Sequence, residues 1–137
     1  MEPAQTIELV GDFFHLTYVR NLGAAFGMLP GQKVLFSGTS VLVVVGILIY
    51  WIIARPRDVL SVLSLGLVTA GAIGNLIDRI VIGRVTDFLD FFGSHFPVFN
   101  VADSAIIIGV AMLLFRIMFW PEDASDTEDV ASSEEPA

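Results

Sequence analysis

The sequence predicts an all-α polytopic membrane protein with three transmembrane helices and a small β element outside the cytoplasm. Apolar residues make up 55% of its 137 residues and charged residues only 16%, against about 25% charged residues in a typical soluble domain. A soluble fold of this size has too little interior to bury so much apolar surface. A bilayer accommodates it, and three long apolar segments supply the predicted helices.

The three predicted spans cover residues 34–54, 59–78 and 101–120. At a rise of about 1.5 Å per residue, each is long enough to cross a hydrocarbon core of about 30 Å. The link between the first two spans is four residues long and contains Arg55 and Arg57. So short a link predicts an antiparallel hairpin, and the positive-inside rule places its turn in the cytoplasm. By count alone this signal is weak, because four basic residues lie at the opposite side.

The first 33 residues are predicted to form a β-rich and interfacial segment outside the cytoplasm. Residues 7–19 are rich in β-branched and aromatic side chains around a Gly11-Asp12 turn signal, which is typical of a short hairpin. Residues 22–29 predict a short interfacial helix. The helical domain then extends over residues 34–120, and its mixed loop 79–100 is predicted to lie at the membrane surface.

The negative charge of the chain lies in its C-terminal segment. Residues 121–137 hold seven acids and no base, whereas the rest of the chain holds seven bases and eight acids. We predict a disordered acidic tail, because this segment has too little apolar surface to bury. The acidic balance argues against nucleic-acid binding. The absence of cysteine excludes thiol chemistry, and the two histidines lack zinc-ligand spacing, so no metal or other cofactor is predicted.

Small residues form a possible packing seam on the second span. Gly66, Ala70 and Gly74 follow each other at intervals of four residues. Small side chains at this spacing let two helix backbones approach closely. We therefore predict that this face packs against a neighbouring helix.

A narrow zone of polar residues lies at the predicted outer ends of the second and third spans. Asn75, Asp78 and Arg79 share one face at the end of the second span, and Asn100 and Asp103 open the third. Ionisable groups at membrane depth are energetically costly and usually functional. The hairpin topology places further polar residues on the same side of the bilayer: Arg20, Asn21, Asp87 and Asp90.

These residues also have structural interpretations. Asn100 as N-cap with Asp103 at the third helical position fits a capping box, and spacing alone does not separate that role from a catalytic one. Asp78 and Arg79 fit an ion pair at a helix end, or Arg79 interacts with the helix dipole. Asp90 is predicted to be a solvated loop carboxylate.

Aspartate is the residue type available in this zone for hydrolytic chemistry. Neither histidine sits in a triad-like arrangement, and lysine occurs once, as Lys33. Two carboxylates that share one proton can hydrolyse an amide, because one takes a proton from water and the other donates to the carbonyl oxygen. Such a pair needs surroundings that separate the two pKa values, and a partly desolvated site beside Arg79 can supply them.

Three blocks of the sequence resemble the lipoprotein signal peptidases, also called signal peptidase II. The family carries RNxGAAF, then GNxIDR followed by VxDFxDF, then FPxFNxADSxIxxG, in the order and spacing found here. The matching blocks are YVRNLGAAF at 18–26, GAIGNLIDRIVIGRVTDFLDF at 71–91 and FPVFNVADSAIIIG at 96–109. Together they cover about a third of the chain.

The resemblance implies a monomeric aspartic endopeptidase of the bacterial cytoplasmic (inner) membrane, with its active site at the extracytoplasmic face. It implies removal of signal peptides from prolipoproteins, with cleavage before a diacylglyceryl-modified cysteine and no cofactor. Asp87 and Asp103 match the catalytic dyad of the family. Gly71 and Gly74 match positions where backbones come close. Positions that support the site or bind the substrate are matched by Asn21, Gly23, Asn75, Asp78, Arg79 and Asn100.

The N-terminus departs from the family pattern. The resemblance implies four spans, the first bearing an Asp and a Thr-Lys near its outer end, whereas three spans follow Met1 here. Two interpretations remain open: the true start lies upstream, or the chain is a shortened homologue. The second gives the alternative function of a catalytically silent protein that binds lipoprotein signal helices. A transporter that uses the carboxylates for ions is a third interpretation, which no sequence feature favours.

Overall fold

The computed structural model describes residues 5–22, 31–93 and 95–120. Three strands and three helices follow each other in the order β1, β2, α1, α2, β3, α3. The strands are β1 Thr6–Val10, β2 Phe14–Asn21 and β3 Val85–Phe91, and the helices are α1 Lys33–Ala54, α2 Val59–Val81 and α3 Val101–Phe119.

The three predicted membrane helices are confirmed. Each of α1, α2 and α3 is long and apolar enough to cross a membrane. The turn between α1 and α2 begins at Arg55, whose backbone is left-handed with φ 47°. Pro56 follows it, and a proline restricts the backbone of the residue before it. Asp58 then caps α2, since its carboxylate accepts a hydrogen bond from the Ser61 amide at 2.7 Å. The same carboxylate lies 3.5 Å from Arg116 near the end of α3.

The core of the helical part is the interface between α2 and α3. The buried residues of α2 are Ser61, Ser64, Leu65, Val68, Gly71, Ala72 and Asn75. Ser64, Val68 and Gly71 are among those that lie against α3. A Cβ atom at Gly71 would clash with the carbonyl oxygen of Ala102, and one at Gly109 would lie 2.7 Å from the carbonyl oxygen of Ser64. The two backbones are therefore in contact at both glycines.

The predicted small-residue seam on the second span is largely wrong. Gly66 has open space where a Cβ would be added, and Ala70 is exposed. Only Gly74 approaches α3, with a would-be Cβ 3.3 Å from the Cβ of Ala102. The face of α2 that packs is therefore rotated about the helix axis from the predicted face. Small residues occur on more than one face of α2, and tertiary packing rather than spacing determines which face is buried.

The predicted hairpin is confirmed as β1 and β2, which pair antiparallel. The structure adds β3 as the third strand of the sheet, in the order β1-β2-β3, inside the segment 79–100 that was predicted as a surface loop. A bulge in β2 between Leu16 and Val19 shifts the register, so that Val19 lies opposite Asp87. The sheet thus joins the N-terminal segment to the connection between α2 and α3.

Phe99 connects this sheet to the start of α3. Its carbonyl oxygen accepts hydrogen bonds from the amides of Phe88 and Leu89 at 2.9 and 2.8 Å. Its ring stacks on Phe91, with 5.8 Å between the centroids. These contacts place the following residue, Asn100, directly beside β3.

Two predictions fall on residues outside the described ranges. They are the disordered tail at 121–137 and all but the first residue of the interfacial helix at 22–29. The division into an extracytoplasmic segment, a helical domain and a tail therefore stays a prediction.

Gly71 offers a test of the α2–α3 contact. We expect Gly71→Ala to lower the free energy of unfolding by about 1–3 kcal/mol, the range typical of overpacking, because the new methyl group meets the Ala102 carbonyl. Unfolding in detergent micelles measures this. The matched control is Gly66→Ala, where a methyl group has open space. Equal stability of the two variants would contradict the proposed contact.

Candidate active site

Asp87 and Asp103 line the same cavity, which has a volume of about 500 Å³. Strand β3 carries Asp87 and the first turn of α3 carries Asp103. The remaining wall is mostly apolar and is formed by Asn21, Phe96, Pro97, Val98, Phe99, Ser104, Ile106, Ile107 and Ile108. The two aspartates matched by the family resemblance are therefore brought to one site, although they lie on different elements.

Asp87 is almost completely buried, with 1% of its surface exposed. Its Oδ2 accepts a hydrogen bond from Asn21 Nδ2 at 2.9 Å, and its Oδ1 accepts one from Asn100 Nδ2 at 2.7 Å. Strand pairing explains the first contact. Val19 lies opposite Asp87 and Asn21 lies opposite Val85, so Asn21 is two residues further along the same face.

Burial raises the pKa of Asp87 above its ordinary value of 3.8. The two amide hydrogen bonds from Asn21 and Asn100 act in the opposite direction, because they stabilise the ionised form. The negative charge of Asp103 raises the pKa further, and the positive charge of Arg79 lowers it. The desolvation effect is the largest of these, so the proton is held more tightly at Asp87 than at an exposed aspartate.

Asp103 forms the predicted capping box and also lines the cavity. The capping box is present: Asn100 Oδ1 accepts from the Asp103 amide at 2.9 Å, and Asp103 Oδ2 accepts from the Asn100 amide at 3.4 Å. The other oxygen, Oδ1, accepts from Asn75 Nδ2 at 2.7 Å. A capping carboxylate therefore lines the cavity, and the cap holds it in one orientation.

Asn75 and Asn100 connect the two carboxylates. Asn100 Nδ2 donates to Asn75 Oδ1 at 3.2 Å in addition to its bond with Asp87. Both amides are buried. The result is a continuous chain of hydrogen bonds from Asp87 through Asn100 and Asn75 to Asp103. Because every link is an amide that donates to a carboxylate or to the next amide, the positions of both carboxylates are set before a substrate arrives.

Asp78 and Arg79 lie around this chain with different partners. Asp78 Oδ2 accepts a hydrogen bond from the Thr86 amide at 3.0 Å, which ties the end of α2 to the start of β3. Arg79 donates to the carbonyl oxygen of Asn75 at 3.3 Å. Its positive charge acts on Asp78, Asp87 and Asp103. The predicted polar face at the end of α2 is thus part of the site.

Other polar residues of the predicted zone lie elsewhere. The prediction of a solvated Asp90 is wrong, because this carboxylate is only 4% exposed and accepts a hydrogen bond from Thr17 Oγ1 at 2.6 Å. Three positions from Asp87 on a strand, it faces the opposite side of the sheet. Arg20 is exposed, with its guanidinium 5.7 Å from the Tyr18 ring centroid. Gly23 lies outside the described residues.

Two features of the site were not predicted. One is the apolar wall of the cavity, for which the run Ile106, Ile107 and Ile108 was the available signal. The other is Phe36 on α1, whose ring centroid lies 5.5 Å from the Arg79 guanidinium carbon. Sequence separation hides this second contact, since the two residues belong to different spans.

Comparison with known proteins places these features in a family. The model of the family described as signal peptidase (SPase) II matches residues 1–119. The chain is 46% identical over 123 residues to a lipoprotein signal peptidase of Halothermothrix orenii, covering 90% of this chain and 81% of that one. A lipoprotein signal peptidase of Brevibacillus brevis is 48% identical over 117 residues, covering 85% and 78%.

The fold is also similar to a solved structure, a bacterial membrane enzyme determined by the in meso method at 2.3 Å resolution. The TM-score is 0.81 at 30% sequence identity, and the match covers 100% of this chain and 79% of that one. The three spans and the small sheet are thus shared with an experimentally determined membrane enzyme.

Asp78 is expected to position β3 rather than to react. In Asp78→Ala the Thr86 amide loses its acceptor, and we expect a loss of about 1.5–3 kcal/mol in the free energy of unfolding, the range for a hydrogen bond to a charged group. Asp78→Asn keeps an acceptor oxygen and should retain most of the stability. Unfolding measurements on both variants check this, and an equal loss in both would mean that charge rather than the hydrogen bond matters.

The raised pKa of Asp87 predicts a pH-dependent stability. A carboxyl whose pKa is higher in the folded state stabilises the fold while protonated, and this contribution is lost as the pH rises through that pKa. The free energy of unfolding of the wild type should therefore increase relative to that of Asp87→Asn as the pH falls from about 7 towards about 4. Parallel stability curves of the wild type and Asp87→Asn over this pH range would contradict the prediction.

Proposed function

The chain belongs to the signal peptidase II family, a family of membrane peptidases, and we propose that it is an aspartic endopeptidase that removes signal peptides from bacterial prolipoproteins. We propose that cleavage occurs before a cysteine that carries a diacylglyceryl group. The observation that carries the proposal is the pair Asp87 and Asp103, two amide-held carboxylates that line one cavity.

In the proposed mechanism Asp87 and Asp103 share one proton. The ionised member takes a proton from water, whose oxygen attacks the scissile carbonyl carbon while the protonated member donates to the carbonyl oxygen. The carboxyl that took the proton from water then donates it to the amide nitrogen as the carbon–nitrogen bond breaks. The other carboxylate takes a proton from a hydroxyl of the tetrahedral intermediate, so the carboxylic acid product forms and the pair again holds one proton. The raised pKa of Asp87 supports this scheme, because it favours retention of one proton by the pair.

The apolar wall of the cavity supports a lipidated substrate. Phe96 and Val98 precede α3, and Ile107 and Ile108 lie on the helix itself, with 66% and 52% of their surfaces exposed. A signal helix and an acyl chain are apolar and arrive within the bilayer. The wall lets such a substrate remain in contact with apolar groups while its scissile bond reaches the carboxylates.

We place the site at the outer face of the cytoplasmic (inner) membrane, in a protein that acts as a monomer. The turn with Arg55 and Arg57 lies at the start of α2, and the carboxylates lie beyond its end. Arginines favour the cytoplasmic side, which puts the carboxylates and the sheet on the other side. The segment 1–33 is then extracytoplasmic and the tail 121–137 is cytoplasmic.

Cleavage of a diacylglyceryl-modified prolipoprotein by the purified chain in lipid tests this function. We expect Asp87→Asn and Asp103→Asn each to reduce kcat by about 10⁴-fold or more, as for members of other catalytic units. Asp12→Asn should cleave like the wild type, because its carboxyl lies in an exposed turn.

The outcomes separate the alternatives. Equal cleavage by the wild type and either dyad variant would reject the assignment of that aspartate. If the wild type binds the prolipoprotein without cleaving it, the silent homologue that binds signal helices replaces the enzyme as the conclusion.

A further inference from the structure

The positive charge beside the two carboxylates belongs to Arg79, and a second helix contacts it. The guanidinium donates to the Asn75 carbonyl of its own helix at 3.3 Å. From α1, the Phe36 ring lies beneath it, with 5.5 Å between the guanidinium carbon and the ring centroid. This distance is within the range for a cation–π contact.

Phe36 stands at the outer end of the face by which α1 contacts α2. The helix has no buried residue, and its half-buried positions, apart from Ser37 next to Phe36, recur at intervals of three or four: Phe36, Ser40, Val44, Ile47 and Trp51. This row is the packed face of α1. Along the row, Phe36 is the residue that meets a charged group of the site.

We propose that Phe36 is a positioning residue: its ring holds the Arg79 guanidinium beside Asp87 and Asp103, so that packing of α1 sets the charge near the pair. The proposal rests on the proposed function, in which the pair is catalytic. Without the ring, the long arginine side chain is free to turn towards water or lipid headgroups. The carboxylates would then lose part of the positive charge that stabilises their ionised form.

Among the described residues, the charged groups that act on Arg79 or on Asp87 come from α2, β3 and α3. Asp78 and Arg79 come from α2, and Asp103 comes from α3. The Asn21 amide of β2 donates to Asp87, and the Phe36 ring of α1 contacts Arg79; both of these groups are uncharged. Displacement of Arg79 therefore shifts the protonation equilibrium of the Asp87 carboxyl towards its protonated form.

Packing alone is the competing explanation. Phe36→Leu keeps an apolar side chain but removes the aromatic face, whereas Phe36→Tyr keeps the face. Val44→Ala trims the same row of α1 away from Arg79 and is the matched control. If Phe36 acts only by packing, Leu is tolerated and both trimmed positions behave alike.

The first measurement follows the Asp87 carboxyl by carbon-13 NMR as a function of pH, in the full chain in lipid nanodiscs. Phe36→Leu is expected to lower the ratio of ionised to protonated Asp87 at fixed pH by about 2-fold, and by less than Arg79→Gln lowers it, because the change comes from a weakened Arg79 charge at Asp87. Phe36→Tyr and Val44→Ala should titrate like the wild type. In an Arg79→Gln background, Phe36→Leu should have no further effect.

The second measurement is the cleavage assay. Phe36→Leu is expected to lower kcat several-fold at nearly unchanged KM, and to move the acid limb of the kcat/KM profile to higher pH. Phe36→Tyr should keep the kcat and the pH profile of the wild type, because it keeps the aromatic face. An identical effect of Phe36→Leu and Val44→Ala, or an effect of Phe36→Leu that persists without Arg79, overturns the proposal. A wild type that does not cleave overturns the proposed function instead, and the NMR titration still decides the role of Phe36.

Discussion

The side chain of Asn100 is the point on which the rest of the site depends. Its oxygen caps α3 through the Asp103 amide, and its nitrogen donates to both Asp87 and Asn75. One residue therefore connects the sheet, α2 and α3. Each of these bonds requires the others, because a buried amide with an unsatisfied donor is costly. The start of the third span and the geometry of the two carboxylates are determined by the same set of hydrogen bonds.

That set of bonds can form only because α2 and α3 approach each other closely. Gly71 and Gly109 bring the backbones into contact, and Asn75 lies one turn beyond Gly71 on the buried stripe of α2. In a membrane the apolar effect provides little force between helices, so close backbone packing and interhelical hydrogen bonds hold them together. Packing at the glycines and polar contacts at the outer end of the stripe thus reinforce each other.

The sequence predicted the features that depend on local pattern. Three apolar runs are sufficient to locate the spans, and the capping box follows from the spacing of Asn100 and Asp103. Features that depend on contacts between residues far apart in the sequence could not be predicted from local pattern. Strand β3 pairs with β2 across the two intervening helices α1 and α2, so sequence pattern predicts a loop position for Asp90 although it is buried. Spacing could not show that the capping Asp103 also contacts Asn75, or that Asp87 and Asp103 line one cavity. The catalytic role of the pair stays a proposal.

Burial of acidic groups at the membrane boundary has two consequences that cannot be separated. Desolvation raises the pKa of Asp87, which destabilises its ionised form but also lets the carboxyl hold a proton at a higher pH than an exposed aspartate does. The amides of Asn21 and Asn100 limit this effect without adding charge. A lysine or arginine in direct contact would instead favour full ionisation of the pair. Arg79 contacts the Asn75 carbonyl rather than a carboxylate in its hydrogen bond, so its charge acts on the pair without direct contact. The position of its guanidinium therefore becomes a variable on which the proposed chemistry depends.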